Sequence, residues 1–200
     1  NNLPEGVFNL VVGDRTIGQK MSADKRVALV SATGSTRMGK AVAQTVAERL
    51  GKTILELGGN NAIIVTQNAN LKLALPAILF GSVGTCGQRC TTTRRLLIDE
   101  KIYDELVEKL VKAYESLPGK IGHPLNEDTL IGPLIDSDSV NNMQNSLSSV
   151  LAEGGKVLFG GQVLEGDQYE GGQYVVPALV EARNENETVQ HETFAPILYL

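Results

Sequence analysis

The sequence predicts an α/β fold with parallel strands, and two observations carry that reading. Short apolar runs alternate with segments of helical periodicity along the whole chain. One of those runs, "VALVSA" (27–32), passes through a tight glycine turn straight into an amphipathic helix, the local order of a parallel strand–turn–helix unit.

The elements follow in order. "GVFNLVV" (6–12) and "VALVSA" (27–32) read as buried strands. The next helix carries Met38, Val42, Val46 and Leu50 on one stripe and stops at Gly51 as its C-cap position. "TILELGGNNAIIV" (53–65) reads as strand, glycine break, strand. "LKLALPAILFGSVG" (71–84) is apolar nearly all round, the pattern of a buried helix, with Pro76 expected near its first turn. "YDELVEKLVKAYESL" (103–117) is amphipathic, with Tyr103, Leu106, Val107, Leu110 and Tyr114 inward. Glu105–Lys109 and Glu108–Lys112 are i,i+4 pairs on its outer face. A further helix over 137–153 starts at the "DSDS" capping cluster and buries Val140, Met143, Leu147 and Val150. "KVLFGG" and "YVVPALVEA" are strands around an acidic, glycine-rich loop (161–172), and "FAPILYL" is a last apolar run. The expected boundary is Gly58-Gly59, giving residues 1–58 as a nucleotide-binding part and 59–200 as a second one.

Composition narrows the function. A hydrophobic fraction of 42% and a charged fraction of 20% suit a soluble globular protein. Net charge is −5, so the basic footprint of a nucleic-acid binder is missing. No apolar run has the length of a membrane span. Two cysteines, Cys86 and Cys90, are too few for a disulfide framework, which favours a reducing, cytoplasmic setting. They are also a poor zinc set with His123 and His191 so distant in sequence, so no metal is expected. The apolar ending suggests the central piece of a longer protein.

"GSTRMGK" (34–40) imitates an ATP loop but continues with Ala41, where magnesium chemistry needs Ser or Thr. The strand–turn–helix context still suits a phosphate, because a helix N-terminus offers free N–H groups. Gly34 allows close backbone approach, Ser35 caps the helix or reaches a phosphate oxygen, and Gly39 lets the helix pack on its sheet. A plain turn and N-cap is the other reading of the same residues.

"GQRC" places Cys90 after the Gly87 break, where a partly exposed thiol beside Arg89 would favour the thiolate. A small buried hydrophobe is the alternative, and Cys86 reads as packing. Glu56, in the apolar "TILELGG", is expected to be desolvated with a raised pKa, as a general base needs. A solvent-facing strand-end glutamate is the alternative. Arg89, Arg94 and Arg95 read, absent a ligand, as residues of a solvated basic surface.

"GSTRMG", "ELGGNN", "GTCGQRCTTTRR" and "HETFAPILY" occur in one order, and together they resemble the aldehyde dehydrogenase superfamily, with spellings most similar to its antiquitin branch. The resemblance covers the whole chain. It implies a Rossmann-like cofactor-domain remainder followed by the start of an α/β catalytic domain. It implies NAD as cofactor, with Gly34, Ser35, Gly39, Leu57, Glu192 and Phe194 on the cofactor side. Cys90 matches the nucleophile, Glu56 the general base, and Arg89 a clamp for the carboxylate of an amino-acid semialdehyde. The implied substrate is α-aminoadipic semialdehyde, placing the enzyme in lysine catabolism. The implied full-length assembly is a homotetramer or dimer, without nucleic-acid or membrane partners. Two alternatives stay open: a non-catalytic piece lacking a complete active site, and a CoA-acylating or acyl-phosphate relative, which Glu56 argues against.

Overall fold

The computed structural model describes residues 3–200 and divides the chain into two compact units, Asn1–Gly58 and Gly59–Leu200.

The first unit begins with α1 (Arg15–Ala23), capped by the Asp14 carboxylate, which accepts from the Thr16 N–H at 2.8 Å. Strand β1 (Leu29–Thr33), helix α2 (Thr36–Glu48) and strand β2 (Lys52–Glu56) then form one β-α-β unit. The strands are parallel, in register from Leu29 opposite Lys52 to Thr33 opposite Glu56. The expected strand at 6–12 is absent: the segment takes no strand conformation, and Phe8 and Leu10 are 83% and 89% exposed. β-propensity expresses itself through pairing and packing, and among the described residues the sheet of this unit contains only β1 and β2. For the same reason β1 and β2 are partly exposed rather than buried, since α2 packs on only one face of the pair.

Helix α2 also ends differently from the expectation. Its left-handed residue is Leu50 (φ 58°), not Gly51. Leu50 N–H donates to the Ala47 carbonyl and Gly51 N–H to that of Val46, each at 3.0 Å, which is a Schellman closure with leucine in glycine's usual place. Leu50 therefore leaves the apolar stripe and is 93% exposed.

The second unit holds a five-stranded sheet in the order β3-β4-β7-β6-β5: β3 (Asn61–Val65), β4 (Thr93–Ile98), β5 (Lys156–Phe159), β6 (Ala178–Glu181) and β7 (Ile197–Tyr199). All neighbours are parallel except β5 and β6, so the all-parallel expectation fails at one edge. The helices α3 (Leu71–Val83), α4 (Tyr103–Glu115), α5 (Ser137–Ala152) and the single turn α6 (Glu187–Gln190) complete it. The inner face of α5 is as predicted, with Val140, Met143, Leu147 and Val150 buried; on α4 Leu106, Leu110 and Tyr114 are buried, whereas Tyr103 and Val107 are only partly so. Both predicted ion pairs of α4 form, Glu105–Lys109 at 3.6 Å and Glu108–Lys112 at 2.5 Å. Helix α3 departs from its prediction. Leu73 and Phe80 are exposed, and Pro76 is its sixth residue, beyond the first turn. Its inner face is held by the Ser82 hydroxyl against the Tyr114 hydroxyl at 2.9 Å.

Candidate active site

In the first unit, the parallel register brings two predicted features to one place. The turn Gly34-Ser35 follows β1, and Glu56 ends β2 directly beside it, the Gly34 N–H donating to the Glu56 carbonyl at 3.0 Å. The carboxyl ends of parallel strands are where open α/β sheets bind ligands. Ser35 is the N-cap of α2: its Oγ accepts from the Met38 N–H at 3.1 Å. Because the oxygen is the acceptor there, the hydroxyl proton remains available to an anion. The N–H groups of Thr36 and Arg37 open the helix and have no acceptor within it. Gly39 is buried, and a Cβ at that position would come within 2.5 Å of the Leu57 side chain, so it is a close-packing glycine of helix on strand end. These groups fit the phosphate portion of a dinucleotide. Glu56 itself is exposed, contrary to the desolvation expected from its apolar neighbours. Alternation along β2 sets its side chain at an open strand end, not inside a packed layer.

In the second unit, Cys90 lies on the turn that leads from α3 into β4. After Val83 the chain makes a one-turn helix (Gly84–Gly87) in which Thr85, Cys86 and Gly87 have φ of 55°, 51° and 67° in succession. Left-handed backbone is unfavourable for Thr and Cys, and it turns Cys86 into the core while leaving Cys90 exposed. Burial pushes the Cys86 thiol up to about 12, which makes it an inert packing group. Gly87 sits so close to the Ala195–Pro196 peptide that a Cβ would approach it to 2.5 Å. Asn61 Nδ2, at the start of β3, donates to the Cys90 carbonyl at 2.7 Å and to that of Thr92 at 2.9 Å. The Cys90 N–H donates to no acceptor among the described residues.

Arg89 folds back on α3. Its Nη2 donates to the Phe80 carbonyl at 2.8 Å, and the guanidinium lies 4.7 Å over the Phe80 ring. Its Nε is buried without a partner among the described residues.

Glu192 and Phe194 precede β7 and reach the same neighbourhood. Glu192 Oε1 accepts from the Gly59 N–H and from Arg94 Nη2, each at 3.2 Å. The Arg94 guanidinium lies 5.2 Å from the centre of the half-exposed Phe194 ring. Arg94 is not the surface residue its sequence context suggested: its side chain is 2% exposed. Burial lowers its pKa below the usual arginine value, and the Glu192 carboxylate opposes that shift.

The folded units therefore gather the predicted residues in two groups: Gly34, Ser35, Gly39, Glu56 and Leu57 in one, Arg89, Cys90, Glu192 and Phe194 in the other. Sequence reasoning missed Asn61, Thr92 and Arg94. The signal was a polar run at the start of β4, "TTRR", whose Thr92, Thr93 and Arg94 are all buried. Among the described residues there is no cluster of His, Cys, Asp and Glu able to hold a metal ion, and no helix long and apolar enough to cross a membrane.

Comparison with known proteins bears on this geometry. The chain is 48% identical over 201 residues to a putative aldehyde dehydrogenase family 7 member A1 homolog of Caenorhabditis elegans, covering all of this chain and 37% of that protein. It is 45% identical to α-aminoadipic semialdehyde dehydrogenase of Bos taurus, again over its full length and 36% of the relative. Betaine aldehyde dehydrogenase from Staphylococcus aureus, crystallised with NAD+, superposes on 99% of this chain with a TM-score of 0.93 at 30% identity, using 39% of that structure. The chain thus spans between a third and two fifths of the length of these relatives. The family model for the aldehyde dehydrogenase family matches residues 1–200. With an exposed cysteine on a pinned turn, a glycine-serine helix start and this match from end to end, the chain belongs to the aldehyde dehydrogenase family, on its antiquitin branch.

Proposed function

We propose that this chain carries the nucleophile and the general base of an NAD-dependent dehydrogenase that oxidises an amino-acid semialdehyde, α-aminoadipic semialdehyde in the first instance, to its carboxylate. The observation that carries the reading is Cys90: an exposed thiol on a backbone held by Asn61, its own N–H without an acceptor among the described residues. The relatives named for aldehyde oxidation support the same chemistry.

The Cys90 sulfur, as thiolate, adds to the aldehyde carbon and forms a C–S bond, while the carbonyl electrons move onto oxygen. The free Cys90 N–H is the donor available to that oxyanion. NAD, when bound, supplies the acceptor for the hydride lost from that carbon. The product on Cys90 is a thioester. Glu56 then takes a proton from water, the resulting hydroxide attacks the thioester carbon, and the C–S bond breaks to return the thiolate and release the acid. An exposed Glu56 is compatible with a base that must exchange protons with solvent.

The roles on the cofactor side follow the donors. The N-terminus of α2, with the Ser35 hydroxyl and the Thr36 and Arg37 N–H groups, would hold the pyrophosphate, Gly34 and Gly39 shaping the approach. Glu192 would accept from ribose hydroxyls and Phe194 would pack against the nicotinamide ring. Arg89 would leave the Phe80 carbonyl it meets here and take the substrate's carboxylate with its planar fork, which suits that group. The full-length protein as a homotetramer or dimer, in the cytoplasm, belongs to the same proposal.

The test is NADH appearance at 340 nm from the full-length chain with α-aminoadipic semialdehyde. Cys90→Ala should abolish turnover. Glu56→Gln should leave a burst of about one NADH per site and slow the steady state by roughly 10²–10⁴-fold. Arg89→Gln should raise KM for the semialdehyde and leave a plain aliphatic aldehyde nearly unaffected. Turnover that survives Cys90→Ala would remove the mechanism, and equal losses on both aldehydes would remove the Arg89 assignment.

A further inference from the structure

We propose that Arg94 is a positioning residue that locks the Cys90 turn and the Glu192–Phe194 segment into one geometry, so that occupancy on the Glu192 side is felt at the thiol. The inference rests on the functional reading above and deepens it.

The guanidinium meets six acceptors from three separate segments of the chain. Nε faces the Gly59 carbonyl at 3.4 Å. Nη1 donates to Thr193 at 2.6 Å and reaches Gly87 and Ala195 at 3.3 and 3.4 Å. Nη2 reaches the Arg89 carbonyl at 3.3 Å and Glu192 Oε1 at 3.2 Å. Five of the six acceptors are backbone carbonyls, and only Glu192 is charged. Burying an ion against mostly neutral partners is a poor way to stabilise a fold. It is a good way to fix where several loops stand relative to one another, because a planar fork dictates direction as well as distance.

The residues held are the ones the chemistry needs. The Arg89 carbonyl immediately precedes Cys90, and Asn61 grips the Cys90 carbonyl from the other side. The nucleophile's peptide is thus fixed at both ends while its N–H and side chain stay free. The left-handed run at Thr85, Cys86 and Gly87 ends at a carbonyl that Arg94 also holds, which gives that unfavourable backbone an anchor. On the opposite flank both contacts to Glu192 fall on Oε1, so Oε2 is left without a protein partner among the described residues. A ligand bonded to Oε2 would pull on the same guanidinium that sets Cys90. Lysine, with three donors at one point, reproduces the charge and not the fork.

The experiment compares the full-length wild type with Arg94→Lys and Arg94→Gln, and with Ile131→Val as a control for core destabilisation away from these loops. Melting temperature, kcat, KM and the rate of Cys90 alkylation by iodoacetamide, with and without saturating NAD+, are measured for each. The expected result is folded Arg94 variants whose kcat is 10–100-fold lower at a KM for aldehyde within about threefold of wild type. Their Cys90 alkylation should no longer respond to NAD+, while Ile131→Val loses stability alone. Wild-type kcat and NAD+ response in a folded Arg94→Lys would overturn the proposal. So would a loss of activity proportional to the unfolded fraction, or failure of both Arg94 variants to fold, since holding the fold would then be the whole role. A wild type lacking Cys90-dependent turnover removes the functional reading and this role with it. A working wild type with indifferent Arg94 variants removes only the role.

Discussion

Cys86 and Cys90 are four positions apart in the sequence and opposite in environment, one in the core and the other exposed. Burial holds the Cys86 thiol at about 12 against an ordinary 9.0, so its neutral form is favoured in the folded state. The folded chain therefore keeps a proton that the unfolded chain loses, and this contribution is complete below pH 9 and disappears as pH rises toward 12. Iodoacetamide at pH 8 should label Cys90 in the native chain and reach Cys86 only after denaturant is added, as peptide mass spectrometry would read. Cys86→Ala should flatten the alkaline loss of stability between pH 9 and 11. Equal labelling of both thiols would contradict the assignment of Cys86 to the core. Neither difference is visible in the spacing C-x-x-x-C, because the backbone is left-handed at Thr85, Cys86 and Gly87, where Gly87 meets the Ala195–Pro196 peptide more than a hundred residues away.

At the scale of elements, amphipathic periodicity was a reliable guide and uniform hydrophobicity was not. Helices α4 and α5 bury the faces that their i,i+3 and i,i+4 patterns mark, because a surface helix has one apolar stripe and one way to hide it. Helix α3 carries apolar residues on every side, so its sequence holds no information on which side faces in, and Leu73 and Phe80 turn out exposed. The end of α2 makes the same point about capping. "RLGK" contains the glycine a C-cap wants, but one residue late, and Leu50 takes the left-handed position. Leu50→Gly should therefore raise the melting temperature, the relief being about 1 kcal/mol from the left-handed strain on leucine. A lower melting temperature would show that Leu50 packs in a way its exposure does not indicate.

The molecule as a whole is acidic and divided, and it leaves a row of large apolar side chains open at its start. Phe8, Leu10, Val11 and Val12 all stand in solvent. Exposed apolar side chains of this size bind hydrophobic dyes. The 200-residue chain should bind the dye ANS (8-anilinonaphthalene-1-sulfonate), and the triple change Phe8→Ser, Leu10→Ser, Val12→Ser should lower the signal while shifting stability by no more than about 0.5 kcal/mol, as expected for residues that bury little. Unchanged fluorescence would place the dye elsewhere. The same segment explains the clearest failure of the sequence reading. "GVFNLVV" has the composition of a buried strand, and composition measures what a segment would do beside a partner, not whether the partner is present.

By itself, the sequence determined the α/β class, the positions of most helices and strands and the glycine-serine helix start, and it marked Cys90 and Glu56 as the residues proposed for the chemistry. Those features are local: periodicity, turn chemistry and motif order are written in neighbouring residues. Tertiary structure alone decided that Glu56 is exposed, that Arg89 is held by Phe80, and that Arg94 is buried among carbonyls contributed by Gly59, Gly87, Arg89, Thr193 and Ala195. A guanidinium looks the same in sequence whether it meets water or five carbonyls. Only chain folding brings acceptors from such distant positions within hydrogen-bond reach, and only then does a basic residue four positions from Cys90 become the point where three segments of the chain meet.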